Sequence, residues 1–377
     1  MHHPACKPGG DSPARQGRSC AAFQRVTERE HFSVDFNYFL TSYLPTKEFG
    51  GERLYSDMID QALLAERLGF RSVSIPEHHL VNVLLVPSPL QMAVKIASMT
   101  NRIEITTAIV VLPVRDMRIF AGEVVQADIL CNGRLVLGVG RGAFAYEVER
   151  LGTPIAETRK KFDESFDVLC ALLSREEVSW DGEYYRFEPI TIMPRPARPI
   201  PMMVAAMAPE AIYAAASRGL SVQTTPLQES NSVLLEQVDA FKRGKAAAGK
   251  KGKNSRLSLQ RVAYSARDDA DAKRCVALIH EYYKRFDNVF SGPGIVNKGL
   301  IEPLPRKQTV EELERNVLVC PPAEMVDRLG AYEEAGIDEV ILSGGFGQSQ
   351  ADMLEMMHRF ASEVAPHFCK SNLNAVA

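Results

Sequence analysis

The stretch Ser74-Ile75-Pro76-Glu77-His78-His79 sets a carboxylate and two adjacent imidazoles at the end of an apolar run. Three uses are open to such residues: metal ligation, proton transfer by a histidine with carboxylate support, or plain hydrogen bonding at a polar strand end. Side chains alternate along a strand, so His78 is expected to point away from the face that Glu77 and His79 share. The three then cannot converge on one ion, and no HxH or carboxylate set at another strand end completes a metal site. No metal is expected. Glu77 could instead fix a neighbour's tautomer and leave His78 to face a cavity as a catalytic group. On spacing alone, that role and a hydrogen-bonded strand end both stand.

Two further segments could hold an anion. In "LGVGRGAF" (137–144), Gly138, Gly140 and Gly142 surround Arg141. Glycines let backbone approach a ligand closely, and a guanidinium pairs bidentately with phosphate. In "VAAMAPEA" (204–211) a strand runs into a helix start, where the free amides of Met207 and Ala208 would favour negative charge. A solvated arginine in a turn and an ordinary helix start are the plainer readings. One phosphate held by Arg141 and the two amides would unite the segments.

Positioning these groups falls to a chain of alternating strands and helices. Strand patterns occupy 31–40, 70–75, 103–114, 134–140, 201–207, 221–225, 257–265 and 338–344. Helical spacing links them, as in Leu54, Met58, Ala62 and Ala65, or Phe162, Phe166, Leu169 and Leu173. A helix, a glycine, one apolar residue and then a strand recur at 65–75, 215–224 and 332–342. Glycine in the left-handed conformation ends each helix there and turns the chain into the next strand. Eight such strands over about 340 residues predict an α/β fold, a single (β/α)8 TIM barrel, whose active site lies at the carboxyl ends of the strands. No GxGxxG follows the first strand, which argues against a Rossmann sheet. A hairpin is expected at 178–187, after the fourth helix. The Gly/Pro-bearing stretch 288–320 is expected as a long loop after the seventh strand, closing over the mouth.

Composition narrows the partners. A net charge of −3 over 377 residues gives no general affinity for polyanions, so nucleic acid is not expected. No apolar run approaches the ~20 residues a membrane span needs. Seven cysteines without a CxxC pair fit reduced thiols in the cytosol. Residues 1–30 read as a flexible extension and 371–377 as a tail, with the barrel at 31–370.

Taken together, the chain resembles the bacterial luciferase-like flavin monooxygenases over 32–370. The segments that carry this are "GFRSVSIPEHH" (69–79), "ITTAIVVLP" (105–113), "GEVVQADILCNGRLVLGVGRG" (122–142), "AAASRGLS", "AGIDEVILSGGFG" and "ASEVAPHF". The resemblance implies that His78, first histidine of the EHH, is catalytic. It puts a non-prolyl cis peptide beneath the flavin at Ala108-Ile109, and Arg141, beside Gly142, on the FMN phosphate. Glu147 stands where the luciferase α subunit has an aspartate near the flavin. Three departures are evident: Met207-Ala208 replaces a Glu-Ser pair near the phosphate, Gly140 replaces a reactive cysteine, and a sixth-strand tryptophan is lost near Pro226.

The activity implied is an FMN-dependent two-component monooxygenase. Reduced FMN from a separate NAD(P)H:flavin reductase would react with O2 to a flavin 4a-(hydro)peroxide that oxygenates a small organic substrate. A homodimer is implied as well. The same scaffold admits a deazaflavin-dependent oxidoreductase that uses no oxygen, and a non-catalytic subunit like the luciferase β chain. That chain lacks the EHH and the phosphate arginine, and this sequence keeps both. Met202, Met203, Met207 and Phe346 are expected to line the substrate pocket.

Overall fold

Eight parallel strands close on themselves in a computed structural model of the chain, which describes residues 34–227 and 231–368. In chain order the barrel strands are β1 (Asp35–Phe39), β2 (Ser72–Ile75), β3 (Glu104–Thr107), β4 (Leu135–Gly140), β5 (Met202–Ala205), β6 (Ser221–Thr224), β7 (Leu257–Ser265) and β8 (Glu339–Ser343). Each pairs with the next, and β8 returns to β1 with Asp35 opposite Glu339 and Phe39 opposite Ser343. This is the (β/α)8 barrel the alternation predicts. The proposed extension and tail lie outside the described residues.

The helices are α1 (Gly51–Arg67), α2 (Pro89–Ala97), α3 (Met117–Leu130), α4 (Ala145–Arg150), α5 (Thr158–Ser174), α6 (Pro209–Ser217), α7 (Asn231–Ala248), α8 (Asp269–Phe290), α9 (Val310–Asn316), α10 (Pro322–Ala335) and α11 (Gln350–Arg359). The stripe Leu54, Met58, Ala62 and Ala65 on α1 is buried as its spacing requires. Removing each larger apolar side chain from water contributes about 1.5–3 kcal/mol. The recurring glycines behave as expected: Gly69, Gly219 and Gly336 have φ of +84°, +81° and +86°.

Polar groups close the amino end of the barrel. Buried Glu339 accepts from the hydroxyls of Ser72 at 3.0 Å and Ser258 at 2.7 Å, while Arg71 pairs with Asp35 and Glu104, both at 3.2 Å. Burial pushes the Glu339 carboxyl above its ordinary pKa, and the two hydroxyls with Arg256 and Arg71 only partly offset this. Charge at that end of a barrel serves the fold, so chemistry belongs at the other end.

The stretch 103–114 is not one strand. It breaks after Thr107, resumes at Val110–Val111 beside β4, and ends in a 3-10 turn at Leu112–Val114, where Pro113 has no N–H for a ladder. The Ala108-Ile109 peptide between the pieces is cis, where the resemblance put it. Close approach of β3 and β4 makes this junction unforgiving. The Thr107 hydroxyl donates to the Gly138 carbonyl at 2.8 Å and accepts from the Gly138 N–H at 2.9 Å. A Cβ on Gly138 would stand 1.9 Å from the Thr107 carbonyl oxygen, a backbone atom that cannot swing aside. Gly138→Ala is therefore expected to destabilise the protein by about 3 kcal/mol. Urea unfolding measures this, and an unchanged midpoint contradicts the packing described.

The hairpin after α5 is present, Val178–Asp181 against Arg186–Ile190. The insertion after β7 differs from the loop expected at 288–320. It starts earlier, with the long helix α8, and continues as a small hairpin (Val296–Asn297 with Leu300–Ile301), α9 and a strand at Leu318–Cys320 that pairs with the end of β7. Backbone hydrogen bonds need partners, and these short elements provide them where a bare loop would not. Of 288–320, the cavity described next touches only Phe290.

Candidate active site

A cavity of about 350 Å3 opens at the carboxyl ends of the barrel strands. Glu77 and His78 reach it from β2, Ala108 and Ile109 from β3, Arg141 and Gly142 from β4, and Ala205 to Ala208 from β5. Thr224 and Thr225 follow from β6, Gln260 and Val262 from β7, and Ser343 from β8. Segments spread over the sequence thus meet at one mouth.

Alternation at the end of β2 sorts the three polar residues as expected. Glu77 and His79 share a side, with His79 Nε2 to Glu77 Oε1 at 2.7 Å. The same carboxylate accepts from Arg115 at 2.8 Å and from the Val111 N–H at 3.1 Å. His78 points the other way and is left free by Glu77, which holds the neighbouring His79 as expected. The carboxylate at His78 Nδ1 is that of Glu147, at 2.5 Å, a partner that the sequence did not indicate. Glu147 also accepts from the backbone N–H groups of His79 at 2.6 Å and Leu80 at 3.1 Å. It therefore stands behind the histidine, and not on the cavity wall where a flavin contact would need it.

Electrostatics complete this pair. Burial alone would raise the Glu147 pKa, but the His78 charge, the His78 hydrogen bond and the two amides outweigh it, and the pKa is lowered. An ionised carboxylate only accepts, so Nδ1 carries a proton and Nε2 is left for chemistry. Phe144 packs against the imidazole with centroids 4.1 Å apart and planes 23° from parallel, so two contacts fix the ring.

The far side of the cavity suits an anion. Arg141 lies at the rim, its guanidinium 3.5 Å from the Thr158 hydroxyl. Surrounding protein, and then the nearby charge of Arg159, lower its pKa. Among the described residues neither arginine forms an ion pair within 4 Å, although Asp163 lies close enough to feel the Arg159 charge, and two neighbouring guanidiniums favour an anion. Met207 and Ala208 stand between β5 and α6, and within the described residues their N–H groups donate no hydrogen bond. Both line the cavity, as the sequence suggested. Arg159, in the first turn of α5, was not foreseen. Its only sequence signal is a basic residue at a helix start, where macrodipole preference runs the other way.

The sequence also gave no warning of the aromatic wall. Tyr282, Tyr283, Phe286 and Phe290 of α8 face the cavity with Phe144 and Phe346. The spacing of Tyr282, Phe286 and Phe290 is one helical stripe, the same pattern that an ordinary core helix carries. Met207 and Phe346 line the cavity as expected, whereas Met202 and Met203 do not. Among the described residues, no group of three or more His, Cys, Asp or Glu side chains is arranged to hold a metal. The arrangement can grip a flat ligand carrying an anionic group and offer it one oriented imidazole.

Known proteins share this architecture. The chain is 28% identical over 337 residues to the oxygenase component of the flavin-dependent trigonelline monooxygenase of Acinetobacter baylyi, covering 86% of this chain and 92% of that one. It is 26% identical over 327 residues to the F420-dependent glucose-6-phosphate dehydrogenase of Beutenbergia cavernae, covering 82% and 92%. Its fold matches the oxygenating constituent of 3,6-diketocamphane monooxygenase of Pseudomonas putida, a type II Baeyer-Villiger monooxygenase solved with FMN. That match has a TM-score of 0.73 at 18% identity and covers 89% and 98%. The sequence model of the luciferase-like monooxygenases matches residues 34–339, and with that barrel and that mouth the chain belongs to their family.

Proposed function

We propose that this chain is the oxygenase component of a two-component monooxygenase. It would use O2 and reduced FMN, delivered by a separate NAD(P)H:flavin reductase, to oxygenate a small organic substrate. One observation carries this: a carboxylate-held histidine and an arginine-rimmed anion site sit in the wall of one largely apolar cavity.

The residues present fit the cofactor. Arg141, Arg159 and the amides of Met207 and Ala208 would hold the phosphate, and Ala108, Ile109 and Gly142 the ring system. Bound reduced FMN supplies the electrons that activate O2. Everything else is done by the chain. His78 Nε2 gives or takes a proton at the reacting edge, and Glu147 holds its ring and balances the imidazolium. Glu77 ties the Val111 backbone, just past Ala108-Ile109, to Arg115 and His79. The aromatic wall keeps water out, which limits wasteful loss of activated oxygen.

Glu147→Gln tests the histidine's support. Carboxylates that orient metal-ligating histidines are worth about 10- to 100-fold, and on that scale turnover should fall with FMN affinity unchanged. Stability gives a second readout. The Glu147 pKa is lowered in the fold, so its stabilisation is present above the ordinary carboxylate range and lost as pH falls through the lowered value. Melting temperatures of the native protein and the variant should thus converge toward acid and separate toward neutrality. A gap independent of pH contradicts an ionised Glu147.

Oxygen uptake with reduced FMN decides the main question, run over ketones, aldehydes and aromatics with 18O2. Substrate-dependent uptake and 18O in product are expected. No uptake with any substrate sinks the oxygenase reading. A deazaflavin-dependent oxidoreductase is the second reading, favoured by the F420-dependent relative. Anaerobic hydride transfer from reduced F420 would establish it.

The working form we propose is a cytosolic homodimer. No helix of the described residues is long and apolar enough to cross a membrane, and the described cysteines are free. On α3, Ile119 is 65% and Leu130 50% exposed, three turns apart and so on one face that pairing would cover. Light scattering should give twice the chain mass, and a monomer at micromolar concentration contradicts it.

A further inference from the structure

We infer, taking this cavity as the oxygenation site proposed above, that the substrate is a neutral aromatic compound. Rings run without interruption from the working histidine across the cavity wall. The His78 ring packs on Phe144 at 4.1 Å, Phe144 meets Phe286 nearly edge-on at 5.6 Å and 75°, and Phe286 lies 6.3 Å from Tyr282. Tyr282 in turn meets Phe346 at 4.7 Å. Such a wall offers both ring faces and ring edges, and a flat aromatic guest matches their quadrupoles where a saturated one of equal size does not.

Charge points to a neutral guest. The carboxylate at the cavity, Glu77, is engaged by Arg115, His79 and the Val111 amide, which leaves nothing to hold a cation. Arg141 and Arg159 serve the cofactor's phosphate.

Three ketones of eight carbons separate the cases: acetophenone, cyclohexyl methyl ketone and 2-octanone. Their affinities are measured by calorimetry on the full chain with saturating oxidised FMN and no reductant. Desolvation alone favours the two saturated ketones, which bury more aliphatic hydrogen. Acetophenone is expected to bind about fivefold more tightly than cyclohexyl methyl ketone. Phe286→Leu should erase the preference for the aromatic ring. Equal binding of the two cyclic ketones, tightest binding of 2-octanone, or an aromatic preference that survives Phe286→Leu overturns the assignment. Because no turnover is involved, a failed oxygenase assay beside an intact aromatic preference would count against the redox chemistry alone.

Discussion

His78→Ala is expected to lower coupled product formation by about 100- to 10,000-fold, the range a positioned general acid–base group contributes. FMN affinity should stay at the native level, because the anion site is built from β4, β5 and α5 while His78 stands at the end of β2. Oxygen consumption should continue, with its product diverted to hydrogen peroxide. The ratio of peroxide to organic product, followed with oxygen uptake, is the measurement. His78→Gln keeps a hydrogen-bonding side chain without a titrating ring, and comparing it with alanine separates proton transfer from simple hydrogen bonding. Native coupling in both variants would remove His78 from the mechanism. A loss of FMN binding equal to the loss of product would make it a structural residue of the cavity.

Arg141→Ala is expected to weaken FMN binding by about 10- to 100-fold while leaving riboflavin binding unchanged. A hydrogen bond to a charged group is worth about 1.5–3 kcal/mol, and each 1.4 kcal/mol is a factor of ten. Riboflavin lacks only the phosphate, so it isolates that contact. The lowered pKa of Arg141 comes from surrounding protein and from the charge of Arg159, and a bound dianion relieves both. Arg159→Ala should therefore act in the same direction. The double variant should lose less than the two single losses combined, since the guanidinium that remains in each single variant is freed from its neighbour's repulsion. Equal weakening of FMN and riboflavin would mean that Arg141 shapes the mouth and does not read the phosphate.

Much of this site could be read from the chain alone. His78 and Arg141 stand at strand ends, and strand ends follow from local patterns of apolar residues and turns. The opposite facing of His78 relative to Glu77 and His79 needs nothing beyond alternation along β2. The left-handed glycines 69, 219 and 336 were equally local, since each is fixed by its own helix end. What sequence patterns missed lay far away along the chain. Glu147 was placed at the cofactor, yet it closes on His78 across 69 positions, through a carboxylate fixed by two amides from the β2 end. The lid was sought in the Gly/Pro-rich 288–320. The wall belongs instead to α8, whose aromatic stripe has the same period as any core helix.

Sequence by itself therefore determined the barrel, the end of it at which the cavity opens, and the places of His78 and Arg141 at strand ends there. Those depend on periodicity and position within single elements. Tertiary structure decided which carboxylate holds the histidine, which second arginine joins the first, and which helix roofs the cavity. Each of these is a contact between elements distant in the chain. Closure of eight strands brings them together, and no local pattern encodes which side chains then meet.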